Sequence, residues 1–195
     1  MVAFAGFSTI RPDGTNSCAG RSGHQPFQTR IVTPHPWNKI PSSDFILLVE
    51  DNADDVFFVK RAIKQAGIRS PLHVVSDGRQ AIDYLQGAGT FSDRQNFPLP
   101  TVILLDIKLP EVSGLDVLRW IRSQPALRTL IVVMLTASSQ TVDIDLSYQL
   151  GANSFLVKTA SHADLVEMLK VVHDYWVKFN LPPPPPARSP QNTTA

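Results

Sequence analysis

The chain has 195 residues, of which 43% are hydrophobic, and a net charge of +1. That suffices for one ordinary domain with a full core, offers no charge excess for binding polyanions, and contains no run near the roughly 18 apolar residues of a membrane span. The single cysteine, Cys18, excludes an internal disulfide framework, and the first seven residues lack the basic start of a secretory signal, so a cytoplasmic protein is expected.

The near-neutral total hides an asymmetry: residues 1–43 carry +3, residues 44–180 carry −3 and residues 181–195 carry +1. Residues 1–43 are rich in Ser, Thr, Gly and Pro without an apolar period. They are expected to be a disordered leader, or the product of a misassigned start. Phe45–Val49 is a short continuous apolar run, as in a strand buried on both faces. Asp54 and Asp55 then open a helix with Val56, Val59, Ile63 and Ala66 at helical spacing, closed by Gly67. Leu72–Val75 predicts a second strand, and Ser76-Asp77-Gly78 turns into a helix bearing Ala81, Ile82 and Leu85. Residues 87–100 form a loop. Val102–Leu105 is a third strand, followed by a helix with Val117, Leu118 and Ile121. Leu130–Leu135 is a fourth strand, followed by a short helix over residues 140–150. Ser154–Val157 is a fifth strand, and Ser161 caps a last helix with Leu165, Met168, Leu169, Val172 and Trp176. Pro182–Pro186 favours an extended polyproline spacer in a disordered tail over residues 181–195.

Five strand–helix units predict a doubly wound α/β domain over residues 44–180, with ligands at the carboxyl ends of its parallel strands. Those ends carry Glu50 and Asp51 after strand one, Asp106 after strand three, Thr136 after strand four and Lys158 after strand five. Singly, each has an ordinary reading: Asp51 with Asn52 as a helix cap, Asp106 as a solvent-side acid, Thr136 as a satisfied hydroxyl, Lys158 as a surface lysine. Together they are harder to dismiss. Gathered carboxylates repel one another and need a cation, and oxygen donors without cysteine or clustered histidine suit a hard ion such as Mg²⁺. A lysine and a hydroxyl opposite them suit a phosphoryl group.

In their order and spacing, Ile46–Asn52, Ile103–Pro110 with Ser113-Gly114, Leu135-Thr136-Ala137 and Gly151–Lys158 resemble the receiver domain of two-component response regulators. The resemblance implies a flavodoxin-like five-stranded parallel sheet of order 2-1-3-4-5. It implies Asp106 as phosphoacceptor, and Mg²⁺ on Asp51, Asp106 and the backbone carbonyl of Lys108, with Glu50 acting mostly through water. Lys158 would pair with the phosphoryl oxygens, and Thr136 and Phe155 would be the switch residues. The donor would be a histidine kinase and the output protein–protein contact with a downstream protein. The loop at residues 87–100, the Lys158-Thr159 pair and the extended last helix are similar to small single-domain regulators paired with phytochrome kinases.

Thr159 departs from the family's proline at that position, so the Lys158 loop is expected to sit differently. Asp54 and Asp55 read as partners of the helix dipole rather than further metal ligands. Tyr175, Trp176 and Phe179 exceed what a one-sided helix commonly buries, which allows either core packing or a homodimer face on the last helix. The flanking segments leave no room for a winged-helix module, so direct DNA binding is not expected. Two alternatives stand beside the switch: a phosphatase with an aspartyl-phosphate intermediate, which commonly has a second Asp where this chain has Lys108, and a fold-retaining binding module that is never phosphorylated.

Overall fold

The computed structural model describes residues 44–181. The expected leader and all of the expected tail beyond Leu181 lie outside the described residues. The elements, in chain order, are β1 Ile46–Val49, α1 Ala53–Gln65, β2 Leu72–Val75, α2 Gly78–Gln86, β3 Val102–Leu105, α3 Gly114–Ser123, β4 Ile131–Thr136, α4 Thr141–Gln149, β5 Ser154–Val157 and α5 His162–His173. The five strands form one all-parallel sheet of order β2-β1-β3-β4-β5.

Successive strand residues point to opposite faces, and the core divides accordingly. Leu47, Val49, Ile103, Leu105, Val132 and Met134 pack under α2 and α3, against Ala81, Tyr84, Val117, Leu118 and Ile121. Ile46, Leu48, Val102, Leu104, Val133 and Leu135 pack under α1 and α5, against Val59, Ala62, Ile63, Leu165 and Leu169. β1 and β3 are therefore apolar at every position, and β4 at all but its last residue, Thr136, which is why each appears in the sequence as an unbroken run.

The helix starts are set by side-chain caps, which satisfy the amides that an α-helix leaves open. Asn52 accepts from the amides of Asp54 and Asp55, Asp77 from Gln80, Ser113 from Asp116 and Ser161 from Asp164. α4 has no side-chain cap, and Ser147 is its one buried residue, so it is the most lightly anchored helix.

Two regions differ from expectation. The loop at residues 87–100 contains a 3-10 turn, Gly89–Phe91, and is built around Arg94. The Arg94 guanidinium donates to the carbonyls of Tyr84 and Leu85 at the end of α2 and to that of Phe97, at 2.6–3.1 Å. Phe91 and Phe97 of the loop meet each other edge to face and close on Tyr84 of α2, Phe97 edge to face and Phe91 tilted. The last helix does not run on regularly through Trp176. It widens into π-helical turns over Asp174–Phe179, where Asp174 binds Lys170 four residues before it and Lys178 four residues after. Val177 is buried there and Trp176 packs against the core, whereas Tyr175 and Phe179 stay exposed. Of the three aromatics, one packs and two do not.

Candidate functional site

The parallel register carries the strand-end residues to one rim. Val49 pairs with Leu105, and the ladder continues one residue further. The Asp106 amide donates to the Val49 carbonyl at 3.1 Å and the Glu50 amide to the Val75 carbonyl at 3.0 Å, so Glu50 and Asp106 lie side by side. On the other flank, Thr136 pairs with Val157, and the Lys158 amide donates to the Thr136 carbonyl at 2.8 Å. From below, the backbone of α3 presses on the Asp106 carbonyl. A Cβ added at Gly114 would lie 1.9 Å from the Asp106 oxygen, and the Gly114 amide donates to the Ile107 carbonyl at 2.9 Å. Glycine is required by that approach, not by an unusual backbone angle.

The Lys158 ammonium is the hub. Its Nζ lies 2.6 Å from Glu50 Oε2, 2.7 Å from Asp55 Oδ2 and 2.6 Å from Asp106 Oδ2. Burial works to lower the Lys158 pKa, but hydrogen bonds to Asp106 and Asp55 and the ion pair with Glu50 outweigh it and hold the amine well above the usual lysine range. Glu50 is almost fully buried, and desolvation pushes its carboxyl up against the opposing pull of Lys158. The two oxygens of Asp106 are divided: Oδ2 faces Lys158, and Oδ1 accepts from the Lys108 amide at 3.2 Å.

Carboxylate oxygens of Glu50, Asp55 and Asp106 come within 4.8 Å of one another. Hard oxygen donors at this density, with no sulfur or imidazole among them, fit a divalent cation of the Mg²⁺ class. The structure thus joins Glu50, Asp106 and Lys158 as expected, but the third acid in that cluster is Asp55. Asp51, expected as a direct ligand, is exposed and is not among the three. Asp55, expected as a partner of the helix dipole rather than a further metal ligand, stands in the first turn of α1 and also binds Lys158. Its position contains the signal. With Asn52 as N-cap, Asp55 is the third helical residue, whose side chain leans back toward the helix start and so toward the strand-end rim.

Thr136 is fully buried, and its Oγ1 accepts from the Ser138 amide at 3.3 Å. Ser138 in turn donates to Asp143 of α4 at 2.5 Å. Phe155 is half-buried and packs against the α2–α3 side of the core. Thr159, in the place of the expected proline, accepts from the Ser161 amide at 3.1 Å and so leads into the cap of α5. Beside Lys158 is a cavity of about 200 Å³ lined by Asp55, Phe58, Thr159, His162 and Leu165 among others. Phe58, which lines it, and its neighbour Phe57 are exposed on α1, off the apolar stripe that identified the helix.

The family model of the response regulator receiver domain matches residues 46–170, from the start of β1 into α5. The chain belongs to the response-regulator receiver family. It is similar to response regulator Rcp1 of Synechocystis sp., 36% identical over 133 residues, covering 68% of this chain and 88% of that one. The Mn²⁺-bound form of Rcp1 superposes with a TM-score of 0.64 at 35% identity, covering 72% of this chain and 99% of that one. The phosphorylated cyanobacterial phytochrome response regulator RcpA is similar too, with a TM-score of 0.67 and 31% identity over 73% of this chain and all of that one. So is the probable methanogenesis regulatory protein FilR2 of Methanothrix harundinacea, 36% identical over 143 residues, covering 72% of this chain and 88% of that one. Among the described residues of this receiver, no helix is long and apolar enough to cross a membrane.

Proposed function

We propose that this receiver is a phosphoacceptor switch in which Asp106 takes a phosphoryl group from a phosphohistidine of a sensor kinase. The observation that carries the reading is the Lys158 ammonium on Asp106 Oδ2 at 2.6 Å, with Glu50 and Asp55 sharing the same cation. A carboxylate oxygen of Asp106 attacks phosphorus, the P–N bond to the kinase imidazole breaks, and the imidazole leaves with its electron pair and takes up a proton. Phosphoryl transfer asks mainly for in-line positioning and neutralised equatorial oxygens, and Lys158 is placed to neutralise them. Mg²⁺, held by Asp51, Asp106 and the Lys108 carbonyl with Glu50 through water, would supply the remaining positive charge. Glu50 and Asp106, the two acids that this set shares with the observed cluster, and the Mn²⁺ form of Rcp1 support that choice of ion class.

The phosphoryl group would then draw the Thr136 hydroxyl toward it, away from the Ser138 amide, and Phe155 would follow. α4, lightly anchored and tied to Ser138 through Asp143, is the element such a shift would move first. The protein signals through contacts with a downstream protein and not by binding DNA, acts in the cytoplasm, and turns over no external substrate beyond its own phosphorylation and dephosphorylation. Its kinase is a phytochrome, a reading that rests on the likeness to RcpA. In a panel of kinases, transfer from a phytochrome no faster than from unrelated kinases would remove that assignment. Tyr175 and Phe179 form a homodimer face. Unchanged sedimentation of Tyr175→Ala with Phe179→Ala at all concentrations would overturn it.

The whole reading is tested by intact-protein mass after incubation with acetyl phosphate, with and without Mg²⁺. One phosphoryl group is expected on the wild type with Mg²⁺, and none without Mg²⁺ or on Asp106→Asn. Equal uptake by Asp106→Asn refutes it.

A further inference from the structure

The site contains an acid that phosphoacceptor chemistry does not call for. We propose that Asp55 is a positioning residue that competes with the phosphoryl group for Lys158, and so acts as a brake on the phosphorylated state. This rests on Asp106 being the phosphoacceptor.

The geometry divides the site into two sides. On the Oδ2 side of Asp106, Lys158 Nζ is shared with Asp55 at 2.7 Å and Glu50 at 2.6 Å. On the Oδ1 side lies the Lys108 backbone. Asp55 therefore belongs to the lysine side. Its helix holds it firmly: Asn52 caps the amides of Asp54 and Asp55, and α1 is anchored by Val59, Ala62 and Ile63. A phosphoryl group on Asp106 brings new acceptor oxygens, and charge-assisted bonds from an ammonium are strong and directional. The ammonium has three protons to donate; it gives hydrogen bonds to Asp55 and Asp106 and faces Glu50 as an ion pair at 2.6 Å, so its whole charge is shared among carboxylates in the resting state. Turning toward phosphoryl oxygens thus costs an existing contact. The exchange falls on Asp55, because Asp106 itself carries the new group and Glu50 is buried, whereas Asp55 is more than a third exposed and water can replace its partner.

Asp54 supplies the control. It stands in the same turn with the same charge, and its backbone amide has the same cap, but it is exposed and its side chain is not among those on Lys158. Asp55→Asn and Asp54→Asn therefore remove equal charge near the site, and only the first releases Lys158.

The test is beryllofluoride affinity of the full chain in the presence of Mg²⁺, read by fluorine NMR of the bound complex, with Mg²⁺ affinity measured separately by calorimetry without beryllofluoride. Asp55→Asn is expected to bind beryllofluoride about tenfold more tightly, the size of one lost charge-assisted contact in the competing state. Its Mg²⁺ affinity should stay within about twofold of wild type. Asp54→Asn and Asp55→Glu should stay near wild type in both. Unchanged or weaker beryllofluoride binding in Asp55→Asn overturns the proposal, as does an equal gain in Asp54→Asn, which would make the effect one of charge alone. A tenfold loss of Mg²⁺ affinity in Asp55→Asn also overturns it and makes Asp55 a metal ligand. A wild type that binds no beryllofluoride refutes the phosphoacceptor reading first, and is recognised before any variant is compared.

Discussion

Replacing Gly114 by alanine tests how the fold sets the position of Asp106. The added Cβ would sit 1.9 Å from the Asp106 carbonyl oxygen, 2.8 Å from its carbon and 3.0 Å from the Ile107 Cα. All three are backbone atoms, so no side chain can swing aside, and β3 or the start of α3 must move by about 1.5 Å to restore ordinary contact. Forced overpacking of this kind costs about 3 kcal/mol, against which a Gly→Ala gain in helix propensity offsets at most about 1 kcal/mol. The expected net loss is about 2 to 3 kcal/mol in urea denaturation, with reduced phosphoryl uptake because the displaced atoms belong to Asp106. Gly67→Ala is the comparison: its φ is +69° but nothing lies within 4 Å of the new Cβ. It should cost about 1 to 2 kcal/mol through backbone strain and leave phosphoryl uptake unchanged. A Gly114→Ala protein that loses less than about 1 kcal/mol and takes up phosphoryl normally would refute the reasoning.

Two further outcomes follow from other parts of the molecule. Arg122 donates to the carbonyls of Gly151 and Leu130 and to Asn153 Oδ1 at 2.8–3.1 Å, tying α3 to the loops before β4 and β5. Arg122→Met should cost about 2 to 3 kcal/mol in urea, since those acceptors lose their donor, and a loss below about 0.5 kcal/mol would contradict that role. His173 is buried, with Nε2 3.0 Å from Ser70 Oγ and Nδ1 facing Asp174, and burial holds its pKa below the usual histidine value. The unfolded chain then binds this proton more readily, so stability is lost as pH falls below about 6.5, by up to about 1.4 kcal/mol per unit until the folded-state pKa is passed. The stability gap between wild type and His173→Gln should shrink from pH 7.5 to pH 5.5, and parallel pH profiles would contradict the assignment.

The strands were legible because a parallel sheet covered on both faces needs apolar residues on both, which leaves runs such as Ile46–Val49 and Val102–Leu105. The strand-end acids and Lys158 followed from that alternation. Asp55 was harder to place. Its lean toward the rim depends on Asn52, and not Asp51, being the residue that caps α1, and one position of cap changes which acids reach the site. The compact loop after α2 rests on Arg94 reaching back to two helix-end carbonyls, a long-range contact that no periodicity encodes. The widening of the last helix likewise depends on how Asp174, Val177 and Trp176 meet the rest of the domain, while the exposed Tyr175 and Phe179 leave the same amphipathic pattern a continuous helix would.

The central claim is that Asp106 carries the phosphoryl group, and its most direct test is chemical trapping. Borohydride reduces an aspartyl phosphate to homoserine with loss of phosphate, and peptide mass mapping then locates the altered residue. Protein incubated with acetyl phosphate and Mg²⁺ should carry homoserine at position 106 and keep aspartate at positions 51 and 55. Homoserine at another position, or none in a sample whose intact mass had risen by one phosphoryl group, would contradict the account.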